Sequence, residues 1–250
     1  MFTPNHFIWI AICAVMIASL TFCSIKFKWS MKTSLYVVSG ISIASELCKV
    51  FTHIDINPTT GAGTIEPGAL PLHLCSITIF IYFYLALTKP NKATQHLLDF
   101  VTPVSIVGGL LAIIMATSGV NFAEPYAYQC FIYHAGIVWF SLYCLITKQV
   151  KMTIKVYITN LVTLFALSII AIWVNGALSA YNTNFMYVVR PPAKGLPLLN
   201  LDNGWFAYYG VLLVAGFILL TLVSLPSYII DKVNEKKTLS TAEGGGAIVE

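Results

Sequence analysis

A few side chains in this chain have the chemistry needed to act on a substrate. Cys75 could attack a carbonyl carbon as a thiolate, and His134 could act as the base that takes the thiol proton. Five polar residues could assist by binding a headgroup, orienting a substrate or stabilising charge: His73, Glu46, Lys49, Gln129 and Asn175. Each lies in or beside an apolar segment, where a polar side chain is costly and is therefore a candidate for function.

The composition explains why so few polar side chains are available. Hydrophobic residues make up 58% of the 250-residue chain and charged residues 10%, whereas soluble proteins carry roughly 25% charged residues. So few charges could not cover the surface of a soluble protein of this size. The composition excludes a nucleic-acid-binding protein and a typical cytosolic enzyme, and it predicts an integral membrane protein.

Seven apolar segments are long enough to cross a bilayer, which takes about 20 residues per helix. They lie at 7–25, 33–53, 70–88, 98–117, 126–147, 156–177 and 205–230. They lack the alternation of a β-barrel, and backbone amides in lipid must be paired within their own helix. We expect an all-α polytopic membrane protein, a seven-helix transmembrane bundle over residues 1–231 followed by a mobile cytoplasmic tail over 232–250.

The basic residues predict the orientation of the bundle. Eleven lysines fall on one side of a seven-span topology: Lys26, Lys28, Lys32, Lys89, Lys92, Lys148, Lys151, Lys155, Lys232, Lys236 and Lys237. The other side holds only Arg190 and Lys194. Because cytoplasmic loops are enriched in Lys and Arg, we expect the N-terminus outside and the C-terminus in the cytoplasm.

Polar residues on four predicted spans fall at a similar depth in the outer half of the bilayer. Glu46 lies about two turns from the outer end of span two, and His73 about one turn into span three. Gln129 and His134 lie roughly one to two turns into span five, and Asn175 reaches a similar level on span six. This agreement predicts a shared polar cavity that a phospholipid could enter sideways between helices.

Glu46 and Lys49 lie three residues apart and can form an ion pair within one helix. Two interpretations remain: a structural ion pair, or a pair in which Glu46 also binds a headgroup or transfers protons. A further variant makes His73, His134 and Glu46 the ligands of a metal ion. The sequence lacks the HExxH-like spacing that would support it, so we expect no metal and no cofactor.

The opening of span three bears directly on the cysteine. Pro71 suits the first turn of a helix because it has no N–H to leave unpaired. Cys75 would then lie near the positive end of the helix dipole, which favours the thiolate. His73 is two residues from Cys75 and points about 200° away on a helix, so the two side chains cannot face one point without irregular backbone. The long outer loop at about 178–204 could form a flexible cap over the site.

Several motifs, in this order along the chain, resemble those of the YwaF-type bacterial integral membrane proteins. They are Leu70-Pro71-Leu72-His73-Leu74-Cys75, Tyr133-His134, Asn184-Phe185-Met186 with the following Pro191, and Trp205 near Tyr208. The resemblance runs from roughly Glu46 to Tyr209. It implies a location in a bacterial cytoplasmic membrane.

Eukaryotic relatives of that family include a transmembrane acyltransferase of ether phospholipids, which uses a cysteine in span three and a later histidine. The resemblance implies these roles for Cys75 and His134, which are 59 residues apart, close to the separation in that enzyme. In the relatives, however, the cysteine follows a proline and directly precedes a histidine. Alignment on that motif places the nucleophile at Leu72, whose side chain cannot attack a carbonyl. The separation from His134 instead matches Cys75, so both alignments stay open.

Two functions from different classes follow. The first is a lipid-modifying enzyme that acts on membrane phospholipids by acyl transfer or hydrolysis, with Cys75 attacking an ester and His134 moving the proton. In it, His73 or Glu46 orients the substrate or stabilises charge. The alternative is a non-catalytic transporter or small-molecule-binding protein, whose buried Glu/Lys/His site binds a headgroup or carries protons. No sequence feature predicts an oligomeric state.

Overall fold

The chain forms seven helices in a computed structural model that describes residues 2–116, 119–193, 195–196 and 198–244, with side chains up to Asn234. They are α1 Pro4–Lys26, α2 Met31–Thr52, α3 Leu74–Leu87, α4 Lys92–Met115, α5 Pro125–Ile146, α6 Ile154–Ala177 and α7 Trp205–Gly244. An antiparallel hairpin, β1 Ile54–Ile56 with β2 Gly63–Ile65, follows α2. The prediction of an all-α, polytopic membrane protein is confirmed.

Local capping residues set where most helices begin. The side chains of Thr3, Ser30, Asn91 and Thr153 accept backbone N–H groups in the first turns of α1, α2, α4 and α6. These contacts satisfy donors that have no partner inside the helix. Helix α5 instead begins at Pro125, whose missing N–H costs nothing at that position.

The predicted third span is wrong at its start. Residues Pro67–Ala69 form a 3-10 turn, and α3 begins at Leu74 rather than at residue 70. Leu70 is extended (φ −56°, ψ 147°) because the ring of Pro71 disfavours a helical residue before it. Within the described residues, six helices are long and apolar enough to cross a membrane, and the 14-residue α3 is shorter.

The other boundaries differ less from the prediction. Helix α7 continues to Gly244, so the segment predicted as a mobile tail begins as a helical extension. Residues 245–250 of that tail, residue 117 at the predicted end of span four, and Lys194 lie outside the described residues. The mobility of the tail stays a prediction.

Helix α5 forms the centre of the bundle, packed against α1, α2 and α4. Its Phe131, Ile137, Trp139 and Phe140 are fully buried. Helix α4 approaches closely at Gly109, where an added Cβ would lie 2.6 Å from Val138 Cγ2 and 3.1 Å from the His134 carbonyl oxygen. A glycine is therefore required where α4 crosses the part of α5 that carries His134.

We expect Gly109→Ala to destabilise the protein by about 1–3 kcal/mol, because the methyl group would force α4 and α5 apart. Thermal unfolding in lipid nanodiscs measures this. Gly210→Ala in α7 is the matched control, since nothing lies within 4 Å of a Cβ there. Equal unfolding temperatures for the two variants would contradict close packing at Gly109.

Candidate functional site

Cys75 lies in the first turn of α3, one residue after the helix begins. Its thiol is half-buried and faces α4, where a Cβ on Gly108 would lie 3.4 Å from Sγ. The turn before the helix leaves His73 as the N-terminal cap, with extended backbone (φ −70°, ψ 150°) and no capping hydrogen bond from its side chain. The expected position of Cys75 near the positive end of a helix dipole therefore holds, although Pro71 is not in that helix.

Tyr133 fastens this turn of α3 to α5. Its hydroxyl donates to the carbonyl oxygen of Cys75 and lies 3.0 Å from Thr78 Oγ1. Thr78 Oγ1 also donates to the same carbonyl, at 2.6 Å. Tyr133 is almost fully buried and directly precedes His134 in α5. The contact ties the turn that carries Cys75 to the residue that precedes His134.

His134 is held by its own helix. Nδ1 lies 2.6 Å from the carbonyl oxygen of Cys130 and 3.5 Å from Cys130 Sγ. Because a carbonyl oxygen can only accept, Nδ1 carries the hydrogen, and in the neutral ring Nε2 keeps its lone pair. Among the described residues, the hydrogen bonds of His134 go to Cys130 and none joins it to Cys75 Sγ, so the dyad stays a prediction.

Glu46 and Lys49 form the expected ion pair, with Lys49 Nζ 2.7 Å from Glu46 Oε1. Lys49 is buried and also donates to Ser76 Oγ at 3.3 Å. Ser76 follows Cys75 in the first turn of α3. The ion pair therefore does more than satisfy two charges on α2, because it connects α2 to the turn that carries the cysteine.

Gln129, in α5, makes a further contact between helices at this level. Its side-chain nitrogen Nε2 donates to Ser45 Oγ at 2.6 Å, so α5 is bound to α2. Sequence analysis predicted a polar cavity shared by these residues. In the structure Glu46, Lys49, Gln129 and Asn175 have hydrogen-bonding or ion-pair partners within the protein. The contact from Lys49 reaches the first turn of α3.

The outer loop folds over His73 as a lid, which we define as residues 182–190. Phe185 is fully buried, and its ring centroid lies 5.4 Å from that of His73. The ring of Tyr187 lies at the same distance on His73. Met186 and Tyr187 have left-handed backbone (φ 55° and 56°), a conformation that non-glycine residues keep only where surrounding contacts hold it.

Asn175 holds this lid. Its Oδ1 accepts the Phe185 N–H at 2.8 Å, and its Nδ2 donates to the Phe185 carbonyl at 3.1 Å. On the other side, α7 donates from Trp205 Nε1 to the Val188 carbonyl at 2.9 Å and from the Tyr208 hydroxyl to the Tyr187 carbonyl. Asn175 therefore holds the lid closed over His73, and its assignment to the polar site stays a prediction.

A family model described as the TMEM164 family matches residues 1–224. The chain belongs to the TMEM164 family. No curated protein and no solved structure matches it.

Membership in the TMEM164 family confirms an integral membrane protein and agrees with the expected link to a eukaryotic relative. The YwaF-type and bacterial assignments stay predictions. Among the described residues of this TMEM164-family chain, no group of three or more His, Cys, Asp or Glu side chains is placed to hold a metal ion. The variant with His73, His134 and Glu46 as metal ligands therefore has no geometric support.

Four residues hold the site in place without having been predicted to do so: Thr78, Ser76 and Ser45, and Tyr133, which the sequence offered only as part of the Tyr133-His134 motif. Each is a common residue type inside a span, and a lone hydroxyl carries no signal of its partner. Tyr133 could have been found only through its position next to His134. The side chains that were singled out are thus positioned by neighbours whose importance becomes visible only in the folded chain.

We expect Asn175→Ala to loosen the lid, because two hydrogen bonds to Phe185 are lost and each contributes about 1 kcal/mol. The rate of backbone amide hydrogen exchange in the 183–190 segment of the lid should then rise more than tenfold. The control is Asn160→Ala, which removes the other buried asparagine of α6, bound to the Asp99 carbonyl 3.0 Å away. Exchange that rises equally in both variants, or in neither, would contradict the role of Asn175.

The ion pair gives a second prediction. Glu46→Gln leaves the buried Lys49 charge uncompensated and should destabilise the protein by about 3 kcal/mol. Replacing both residues, as Glu46→Gln with Lys49→Met, should restore most of the stability, because the unpaired charge is gone. Denaturant or thermal unfolding of the two single variants and the double variant gives the coupling free energy. Additive effects of the single changes would show that the pair is not coupled.

Proposed function

We propose that this TMEM164-family protein is a lipid-modifying enzyme, a phospholipid acyltransferase or acyl hydrolase. Cys75 is the nucleophile and His134 the base. The observation that carries this proposal is the placement of Cys75 in the first turn of α3, fastened to α5 by Tyr133 one residue before His134. The membrane location supports phospholipids as substrates, and placement in a bacterial cytoplasmic membrane is part of the proposal.

The reaction has two balanced steps. In the first, Cys75 Sγ attacks the ester carbonyl of a phospholipid, and Nε2 of His134 takes the thiol proton. The ester bond breaks, the acyl group stays on sulfur as a thioester, and the proton passes to the departing alkoxide. In the second step the hydroxyl of an acceptor lipid, or water, attacks the thioester, and Cys75 recovers its proton. No cofactor is required.

The resting arrangement has consequences for this mechanism. Nε2 of His134 has to come within hydrogen-bond reach of Cys75 Sγ, and such contacts often tighten only when substrate is bound. The first turn of α3 supplies the positive end of a helix dipole next to the thiol. Lys49, through Ser76, and His73, beneath the lid, lie at the same turn and are the groups available to bind a phosphate or orient an ester.

The alternative function is a non-catalytic membrane protein that binds or transports a small molecule. The buried pair of Glu46 and Lys49 favours it, because an intramembrane ion pair with a polar neighbour can bind a charged headgroup or carry a proton. This alternative needs no thiol chemistry. It predicts a phenotype for Glu46→Gln and none for Cys75→Ala.

The test is lipid turnover by the purified protein with labelled phospholipids in nanodiscs. Cys75→Ala should lower turnover by more than a hundredfold, because the group that forms the thioester is removed. Cys23→Ala, which replaces a half-buried cysteine of α1, is the matched control and should keep full activity.

Full turnover by Cys75→Ala would contradict the thiol mechanism. No turnover by the wild type with any lipid class, together with lipid binding that depends on Glu46, would favour the alternative. His134→Gln should lower turnover as well while leaving lipid binding intact, since the base acts only in the chemical steps.

A further inference from the structure

Two consecutive glycines of α4 have different surroundings. At Gly109 an added Cβ would lie 2.6 Å from Val138 Cγ2, so the packing of α4 on α5 requires this glycine. At Gly108 an added Cβ would meet a single neighbour among the described residues, Cys75 Sγ at 3.4 Å. That distance is an ordinary van der Waals contact, so helix packing does not require a glycine here. The missing side chain instead leaves the α4 side of the sulfur uncovered.

The face of α4 that carries Gly108 is also the face that packs on α7. Leu220 of α7 is buried in the same core as Val104 of α4. One helical turn further toward the outer side, these faces carry Gly108 on α4 and Gly216 on α7. A Cβ on Gly216 would have no described atom within 4 Å. Neither face carries a side chain at this level, which leaves a groove beside Cys75.

The outer part of α4 continues this groove as an apolar surface. Leu111, three residues after Gly108, is exposed, and Ala112 and Met115 are partly exposed. The spacings of three, four and seven residues place them on the same side of the helix as Gly108. Apolar side chains exposed on a membrane-spanning helix contact acyl chains, which are as apolar as leucine. An acyl chain that lies along this side of α4 therefore passes Gly108 and reaches the sulfur.

The lid covers the aqueous side of the same turn. His73 lies two residues before Cys75, and the rings of Phe185 and Tyr187 cover it with centroids 5.4 Å from its own. Asn175 holds the lid in this position through Phe185. A water-soluble substrate would have to displace the lid, whereas a lipid in the bilayer would not.

We propose that Gly108 determines which substrates reach Cys75. A lipid resident in the bilayer brings its ester carbonyl to Sγ laterally, across Gly108, with the acyl chain along α4 at Leu111. The role rests on the proposed acyl transfer or hydrolysis at Cys75 and names its substrates as membrane-resident acyl esters. Gly108 takes no part in the bond changes. It is a specificity-determining residue, because a larger side chain at this position would occupy the space that the ester needs.

The first test measures access to the sulfur and needs no enzymatic activity. The full-length protein in nanodiscs is treated with N-dodecylmaleimide, which dissolves in the bilayer, or with a sulfonated maleimide, which stays in water. Mass spectrometry follows modification of the peptide that contains Cys75. The wild type should react about tenfold faster with the dodecyl reagent. Gly108→Leu should slow that reaction about tenfold because leucine covers the sulfur, whereas Gly108→Ala should slow it less than about threefold.

Gly40→Leu in α2 is the matched control, since Gly40 is exposed and an added Cβ there has no described atom within 4 Å. It should leave the reaction of Cys75 unchanged. The half-buried Cys48 of α2 is the internal reference and should react alike in every variant. An unchanged rate in Gly108→Leu, equal losses in Gly108→Leu and Gly40→Leu, or faster reaction of the wild type with the sulfonated reagent would overturn the proposal.

The second test uses lipid turnover. For a phospholipid with two palmitoyl chains, kcat/KM should fall about tenfold in Gly108→Leu, and the loss should be smaller when the reacting ester is an acetyl group. The shorter chain needs less room beside the sulfur. Equal losses with both lipids would contradict a role in specificity. If the wild type turns over no lipid, the proposed function fails, and the maleimide rates still decide whether Cys75 is reached across Gly108.

Discussion

The absence of water in the hydrocarbon core is the constraint on which this structure depends. A polar group there has to find its partner inside the chain. The Tyr133 hydroxyl meets the Cys75 carbonyl, Lys49 meets Glu46 and Ser76, and Asn175 meets both backbone groups of Phe185. These pairings decide how α2, α3, α5 and the lid lie relative to one another. These polar residues thus connect the helices of the bundle, and several of them are also candidate functional residues.

Several of these contacts meet at the first turn of α3. Helix α3 is also the shortest of the seven helices. The chain before it forms a hairpin and a 3-10 turn instead of continuing as a helix. This irregular entry brings His73 under the lid while Cys75 faces α4. Two residues this close in sequence cannot face one point on a regular helix. The structure resolves this by starting the helix between them.

The parts that could be predicted from sequence are those governed by composition and local spacing. Long apolar runs predict the helices, and the three-residue spacing of Glu46 and Lys49 predicts their pairing, because both depend on nearby residues alone. The true start of α3, the contact from Tyr133 and the fold of the lid depend on residues far apart in the chain. Asn175 illustrates this limit, since a buried asparagine can equally bind a ligand, another helix or, as here, a loop.

Acyl transfer through Cys75 must pass through a thioester, which can be trapped and located. The protein is incubated with a labelled phospholipid in the absence of acceptor, quenched in acid and digested, and its peptides are analysed by mass spectrometry. The mechanism predicts an acyl group on the peptide that carries Cys75, removable by neutral hydroxylamine and missing from Cys75→Ser. Lipid turnover without any acyl group on that peptide, or with the acyl group on another cysteine, would contradict it.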